Sequence, residues 1–203
     1  MPSRGRALLI LAGLGLLALG SFWTALAVGS LQLTASEVAA VLLGVDVAGA
    51  DVVLQLRLPR ALAGFACGGL LALAGALMQV LLRNPLAATY ALGISGGAGV
   101  GAMFGMLLGL SVLGVDSLAF AGAFAAMLLV FGLAHGDGSW TQTRLLLTGG
   151  IVAAGCGALV ALMLTIADEH KLRGMLFWLM GDLGQSAQWW PAFVALAVAL
   201  LLA

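Results

Sequence analysis

Residues 82–105 read LRNPLAATYALGISGGAGVGAMFG. This stretch decides the fold, because its glycines fit three different structures. They could cradle a phosphate, set a nucleophilic serine at Ser95, or form a packing ridge on a helix. Gly93, Gly97, Gly101, Gly105 and Gly109 recur every four residues. That spacing stacks small residues on one side of a helix and lets a neighbouring backbone approach closely. The pattern is repeated upstream in Gly64, Gly68, Ala72 and Ala76, and downstream in Gly149, Ala153, Gly157 and Ala161. Three such ridges predict a tightly packed all-α bundle.

The phosphate reading lacks its context. A P-loop needs a preceding strand and a following GK[ST], and a dinucleotide fingerprint needs a βαβ unit. Neither pattern is present, and Lys171 is the first lysine in the chain. The serine reading has more support. Gly93-Ile94-Ser95-Gly96 matches GxSG, and Ala134-His135-Gly136-Asp137-Gly138 matches AHxxG. Together they resemble the motifs of rhomboid-type intramembrane proteases, with Ser95 as nucleophile and His135 as base. Against this, His135 opens a polar run, GDGSWTQTR, whereas that family's histidine lies within a helix. The second helix also has no histidine to serve an oxyanion.

Composition sets the environment. Of 203 residues, 63% are hydrophobic and only 8% charged, against about 25% charged in soluble domains. Eight basic and eight acidic residues cancel, so nothing points to nucleic acid. Cys67 and Cys156 stand alone in apolar runs, without metal-ligand spacing. They read as packing residues, and neither a metal nor a cofactor is expected.

No charged residue falls within 61–82, 84–115, 117–134, 145–167 or 190–203. A membrane-spanning helix needs about 20 apolar residues. The expected spans are therefore near 7–29, 61–82, 90–110, 116–134 and 145–167. A sixth helix starts near Trp189-Trp190-Pro191. It has 13 residues before the sequence stops, roughly 20 Å of helix, so the chain is expected to be one permease-like transmembrane domain, 1–203, continuing in a longer protein. Residues 1–29 could also be a signal peptide, but their apolar run is longer than the ~7–15 residues of a signal core.

Arg4 and Arg6 place the N-terminus in the cytoplasm. Alternation then puts Arg83 and 135–144 inside, and 30–60, 111–115 and 168–188 outside. On the outer side, Thr34-Ala35-Ser36-Glu37 is a capping box predicting a short helix. In 168–182, Leu172, Met175, Leu176 and Leu179 share one helical face, with Lys171 and Arg173 off it and Trp178 as a headgroup anchor.

Ion-coupled carriers usually hold ionisable residues within their spans. These spans have none, so the energy for any transport should come from another subunit. Gln79 is the most polar residue inside a span and a candidate for the translocation path. A channel or autonomous carrier remains the third reading.

A set of motifs in order narrows this further. Arg57-Leu58-Pro59-Arg60, Gly75-Ala76-Leu77-Met78-Gln79, Arg83-Asn84-Pro85-Leu86-Ala87 and Leu92-Gly93-Ile94-Ser95 resemble FecCD/BtuC-type permeases. So do Arg144-Leu145-Leu146-Leu147-Thr148-Gly149 and Phe177-Trp178-Leu179-Met180-Gly181. These are membrane subunits of ABC importers for iron–siderophores, haem and cobalamin. Ala88-Thr89 departs from the family, which commonly has an acidic residue or Asp-Pro there. The resemblance implies about six of ten helices, in a bacterial inner-membrane subunit without enzymatic chemistry. It implies a second permease subunit, two cytoplasmic ATPase subunits and an extracytoplasmic binding protein as partners, besides the lipid bilayer. Arg57 and Arg60 would dock acidic groups of the binding protein, or else anchor the second helix at the headgroups. Asn84, Leu86, Gln142 and Thr143 would form a cytoplasmic gate, although Asn84-Pro85 could also simply end a helix.

Overall fold

The computed structural model describes residues 4–45, 47–85, 89–135, 141–181, 183 and 190–202. Regular structure among them is entirely helical. The elements are α1 (Arg4–Ala27), α2 (Ala35–Leu42), α3 (Leu58–Leu81), α4 (Ile94–Leu107), α5 (Val112–Ala134), α6 (Gln142–Ile166), α7 (Glu169–Met180) and α8 (Trp190–Leu202). Among the described residues, four stretches are long and apolar enough to cross a membrane: Arg4–Ala27, Val52–Leu81, Val112–Ala134 and Gln142–Ile166. The chain forms two compact units, one of Met1–Leu70 with Leu183–Ala203 and one of Leu71–Asp182.

In the first unit, the second span starts earlier than its charges suggest. A π-helical turn over Val52–Arg57 runs directly into α3, so Arg57, Pro59 and Arg60 are helical. Pro59 supplies the reason. Its ring lacks an N–H and crowds the carbonyl four residues back, and the turn before it widens, with Leu58 N–H bonded to Val53 O. The chain therefore keeps its helical path through a residue that ordinarily breaks one. Phe22 of α1 meets Phe65 of α3 edge-on, with centroids 5.5 Å apart. On α3, Gly69 leaves room for Leu196 of α8, which would lie 3.0 Å from an added Cβ.

The second unit is built around α4. Its helix has only 14 residues, about 21 Å long, and is shorter than the expected 90–110 span. Gly93 and Gly109 account for the difference. Both adopt positive φ, +67° and +69°, a conformation that ends helices, and Thr89–Leu92 forms a separate 3₁₀ turn. The five glycines thus divide instead of forming one ridge. Gly97, Gly101 and Gly105 lie on α5, where an added Cβ would strike the Gly122 carbonyl, the Leu118 carbonyl and Val115. Gly93 and Gly96 face α6, against Gly149, Ala153 and Cys156. Gly109 closes the far end. Of the α6 ridge, Gly149 is packed, whereas Gly157 has no described neighbour within 4 Å. Gly68 on α3 is likewise open.

Two hydrophobic clusters flank this contact. One joins Leu82, Leu92, Ala126, Val130, Ala134, Leu145 and Val152, with Cys156 at its edge. The other joins Ala102, Met103, Val115 and Met175, with Trp178 packed against it. Trp178 is half-buried there.

The short α2 forms as its sequence predicts. Thr34 Oγ1 accepts from Glu37 N–H at 3.3 Å, and Thr34 N–H donates to Glu37 Oε2 at 2.7 Å. The Thr34 backbone bond, followed by its hydroxyl, holds the Glu37 carboxyl below the usual glutamate range. A depressed carboxyl pKa adds stability above the unfolded glutamate range and loses it as pH falls through the folded value. The protection factor of the Val38 amide, its exchange rate set against the unstructured rate at the same pH, should therefore fall as the solution is acidified through that window, and Glu37→Gln should flatten the response. Similarly, Gly101→Ala should destabilise the full-length protein by about 1–3 kcal/mol through overpacking. Gly157→Ala should be neutral or stabilising by up to about 1 kcal/mol. Thermal unfolding in detergent distinguishes the two, and equal effects would contradict the contact.

Candidate functional site

The residues expected to form a gate fall at helix ends in the second unit. α3 finishes in a Schellman motif: Arg83 N–H donates to Val80 O at 3.2 Å, and Asn84 N–H to Gln79 O at 3.1 Å. The left-handed position of this motif usually holds glycine, as Gly44 does after α2 and Gly109 after α4. Here it is Arg83, with φ 43° and the one positive value among the described non-glycine residues. A side chain in this conformation costs about 1–3 kcal/mol. Leu82, fully buried among α5 and α6 residues, holds the turn in place. Asn84 is half-buried beside it, and Leu86 lies outside the described residues.

On the facing element, Gln142 and Thr143 occupy the exposed first turn of α6. Thr141 caps that helix by accepting from Arg144 N–H at 3.3 Å. Leu145, one turn on, shares the Leu82 cluster. One hydrophobic contact thus brings the end of α3, the end of α5 and the start of α6 together. Gln79 is exposed two residues before the end of α3.

Arg57, expected to dock a binding protein or anchor its helix, is bonded within the chain itself. Its Nη1 donates to the carbonyls of Leu26 at 2.7 Å and Ala27 at 3.0 Å, and its Nη2 donates to Leu31 O. The guanidinium closes the C-terminal end of α1, where carbonyls lack helical partners and the helix dipole is negative. Gly29 leaves it space, because a Cβ there would come within 2.6 Å of Nη2. The exposed Arg60 sits one turn further along α3.

Lys171 shows the same arrangement in the second unit, and sequence reasoning missed it. It was expected off the packed face of α7. Instead it is half-buried, and Nζ donates to Leu107 O, the last residue of α4, at 2.7 Å. Nothing in the sequence signalled it, because the acceptor is a backbone carbonyl.

Ser95 lies in the first turn of α4 and His135 follows the last residue of α5, both exposed. Neither is among the buried residues that hold the unit together.

Apolar helices of spanning length, joined by backbone-to-backbone glycine contacts, make this a polytopic α-helical membrane protein. The chain belongs to the FecCD transport family, whose model matches residues 16–203. Its relatives include the vitamin B12 import system permease protein BtuC of Klebsiella pneumoniae, 39% identical over 145 residues, which cover 71% of this chain and 44% of that protein. The BtuC protein of Salmonella newport is 37% identical over 149 residues, with the same coverage. The chain thus spans under half the length of these curated relatives. A solved structure described as an inward-facing conformation of a metal-chelate type ABC transporter matches with a TM-score of 0.73 at 30% identity. That match covers 95% of this chain and 57% of the other. Because the family match includes both Ser95 and His135, it removes the support for a protease.

Replacing Arg57 by Met should lower stability by about 2 kcal/mol, the scale of hydrogen bonds to a charged group. Arg57→Lys should restore only part, since an ammonium cannot reproduce the forked donors. Thermal unfolding of the full-length protein in detergent is the measurement, and an unchanged midpoint for Arg57→Met would refute the cap.

Proposed function

We propose that this chain is part of the membrane-spanning permease of a binding-protein-dependent ABC importer, carrying a metal chelate of the cobalamin class. The observation that carries the reading is the identity to two BtuC proteins over 71% of the chain. Iron–siderophore and haem belong to the same chelate class and rank behind it. No Asp, Glu, Lys, Arg or His falls within 61–82, 84–115, 117–134 or 145–167, which supports an energy source outside the permease.

In this reading the permease works in the bacterial inner membrane with its N-terminus in the cytoplasm. A second permease subunit completes the path, two ATPase subunits drive it, and an extracytoplasmic binding protein delivers the chelate. The chain carries out no chemistry of its own. Arg60 meets carboxylates of the binding protein, while Arg57 holds the mouth's architecture through α1. The inner gate is formed by Asn84 and Leu86 after α3 and by Gln142 and Thr143 at the start of α6, with Gln79 along the path. Each lies at or near a helix end, where backbone can rearrange without breaking a helical ladder.

The test is uptake by the full-length protein in vesicles with its ATPase and binding protein. ATP-dependent entry of cyanocobalamin, absent when the ATPase is omitted, is expected. Entry of a ferric siderophore but not cyanocobalamin would move the substrate within the class, and entry without the ATPase would refute the reading. Arg60→Glu should weaken binding-protein association about tenfold, in the range for loss of an interfacial charge pair, measured by surface plasmon resonance.

A further inference from the structure

Lys171 stands where its own helix disfavours it. It is the third residue of α7, and a cation in the first turn opposes the positive end of the helix dipole. The compensation comes from α4. That helix ends with Gly109 N–H bonded to Met106 O and Leu110 N–H bonded to Gly105 O. The Leu107 carbonyl, left over by this pattern, accepts from the Lys171 ammonium. A local rule broken on one helix is thus offset by a terminus on another 64 residues away.

The bond also defines which way α7 faces. Lys171, Met175 and Trp178 lie toward α4, with Met175 fully buried in the cluster there. Leu179 reaches Gly99, 3.9 Å from where a Cβ would lie. The other side of α7 lines an open cavity of about 360 Å³ with Glu169, Leu172, Arg173, Leu176, Phe177 and Met180. That wall is apolar at its centre and carries one charge of each sign at its N-terminal end. α7 follows α6 after only Ala167 and Asp168. Its roll about its own axis is fixed by this bond together with the packing of Met175 and Trp178 against α4, α5 and α6.

We infer that Lys171 is a positioning residue that locks the roll of α7 on α4 and so sets the face offered to the incoming chelate. The inference rests on the permease reading with α7 on the outer side. Without the bond, α7 samples a second orientation, and the receptive face is presented for a smaller fraction of the time. Apparent affinity falls by that fraction. Arginine at the same position can still donate to the Leu107 carbonyl, whereas methionine keeps the apolar stem and cannot.

The experiment uses the full-length protein with Cys67 and Cys156 replaced by alanine and spin labels at Gly174→Cys on α7 and Leu113→Cys on α5, both exposed positions. One narrow interspin distance is expected for the parent and for Lys171→Arg, and a second population for Lys171→Met. An unchanged distribution in Lys171→Met, or equal broadening in both variants, would overturn the lock. In vesicles holding the complete transporter, the concentration of cyanocobalamin-loaded binding protein that half-saturates uptake should rise about threefold or more for Lys171→Met and stay near the parent for Lys171→Arg. Broadened distances with unchanged half-saturation would overturn the positioning role. If the parent takes up no cyanocobalamin, the substrate assignment fails while the distances still decide the lock.

Discussion

A helix that ends inside a membrane protein leaves carbonyl oxygens without partners, and hydrocarbon offers none. Much of this structure follows from how those oxygens are satisfied. α2, α3 and α4 curl their last turns back so that following N–H groups reach them. The ends of α1 and α4 also recruit a cation from elsewhere in the chain, Arg57 and Lys171 respectively. In a chain with so few charges, two of its eight basic residues are placed against backbone oxygen. Those bonds tie an early helix to a later one in each unit. They are long in sequence and short in space, and each fixes an angle that apolar packing alone would leave free.

The glycine contact between α4 and α5 answers the same environment in another way. Lipid tails are as apolar as leucine, so helices gain little by burying leucine against each other. Close backbone approach gains dispersion and weak polar contact instead. Gly97 and Gly122 lie so near that either one, given a side chain, would strike the other's carbonyl. The large apolar residues are correspondingly left outside: Leu8, Leu9, Phe120 and Ile151 are largely exposed. The α4–α5 contact is thus made of small residues while many large apolar ones face outward, opposite to the expectation for a soluble domain.

Much of this was legible in sequence because its causes are local. Charge-free runs located the spans, the Thr34–Glu37 pair located α2, and the apolar stripe located α7. The misplaced boundaries have local causes that compete. Pro59 ordinarily ends a helix but here only widens one, and a spacing of four made the end glycines Gly93 and Gly109 look like members of the ridge. The partners of Arg57 and Lys171 were not legible at all. Their acceptors are backbone carbonyls, which every residue carries, so no side chain in the sequence marks them. The residues proposed as a gate came from motif resemblance, and the structure adds the Leu82–Leu145 cluster that draws the ends of α3, α5 and α6 together. Arg83 in a glycine's conformation had no sequence signal, since only its neighbours' bonds require it.

The widened turn at Val52–Arg57 makes the first unit sensitive to length as well as to residue type. A π turn is in effect an α-helix carrying one extra residue. Losing any one of the residues 52–56 would restore ordinary winding and swing everything before it by about 100° relative to α3. The guanidinium would then point away from the end of α1, although every side chain that forms the contact was still present. Homologous chains that keep this arginine should therefore keep the residue count between it and the preceding helix turn, while the identities of those residues are free to drift.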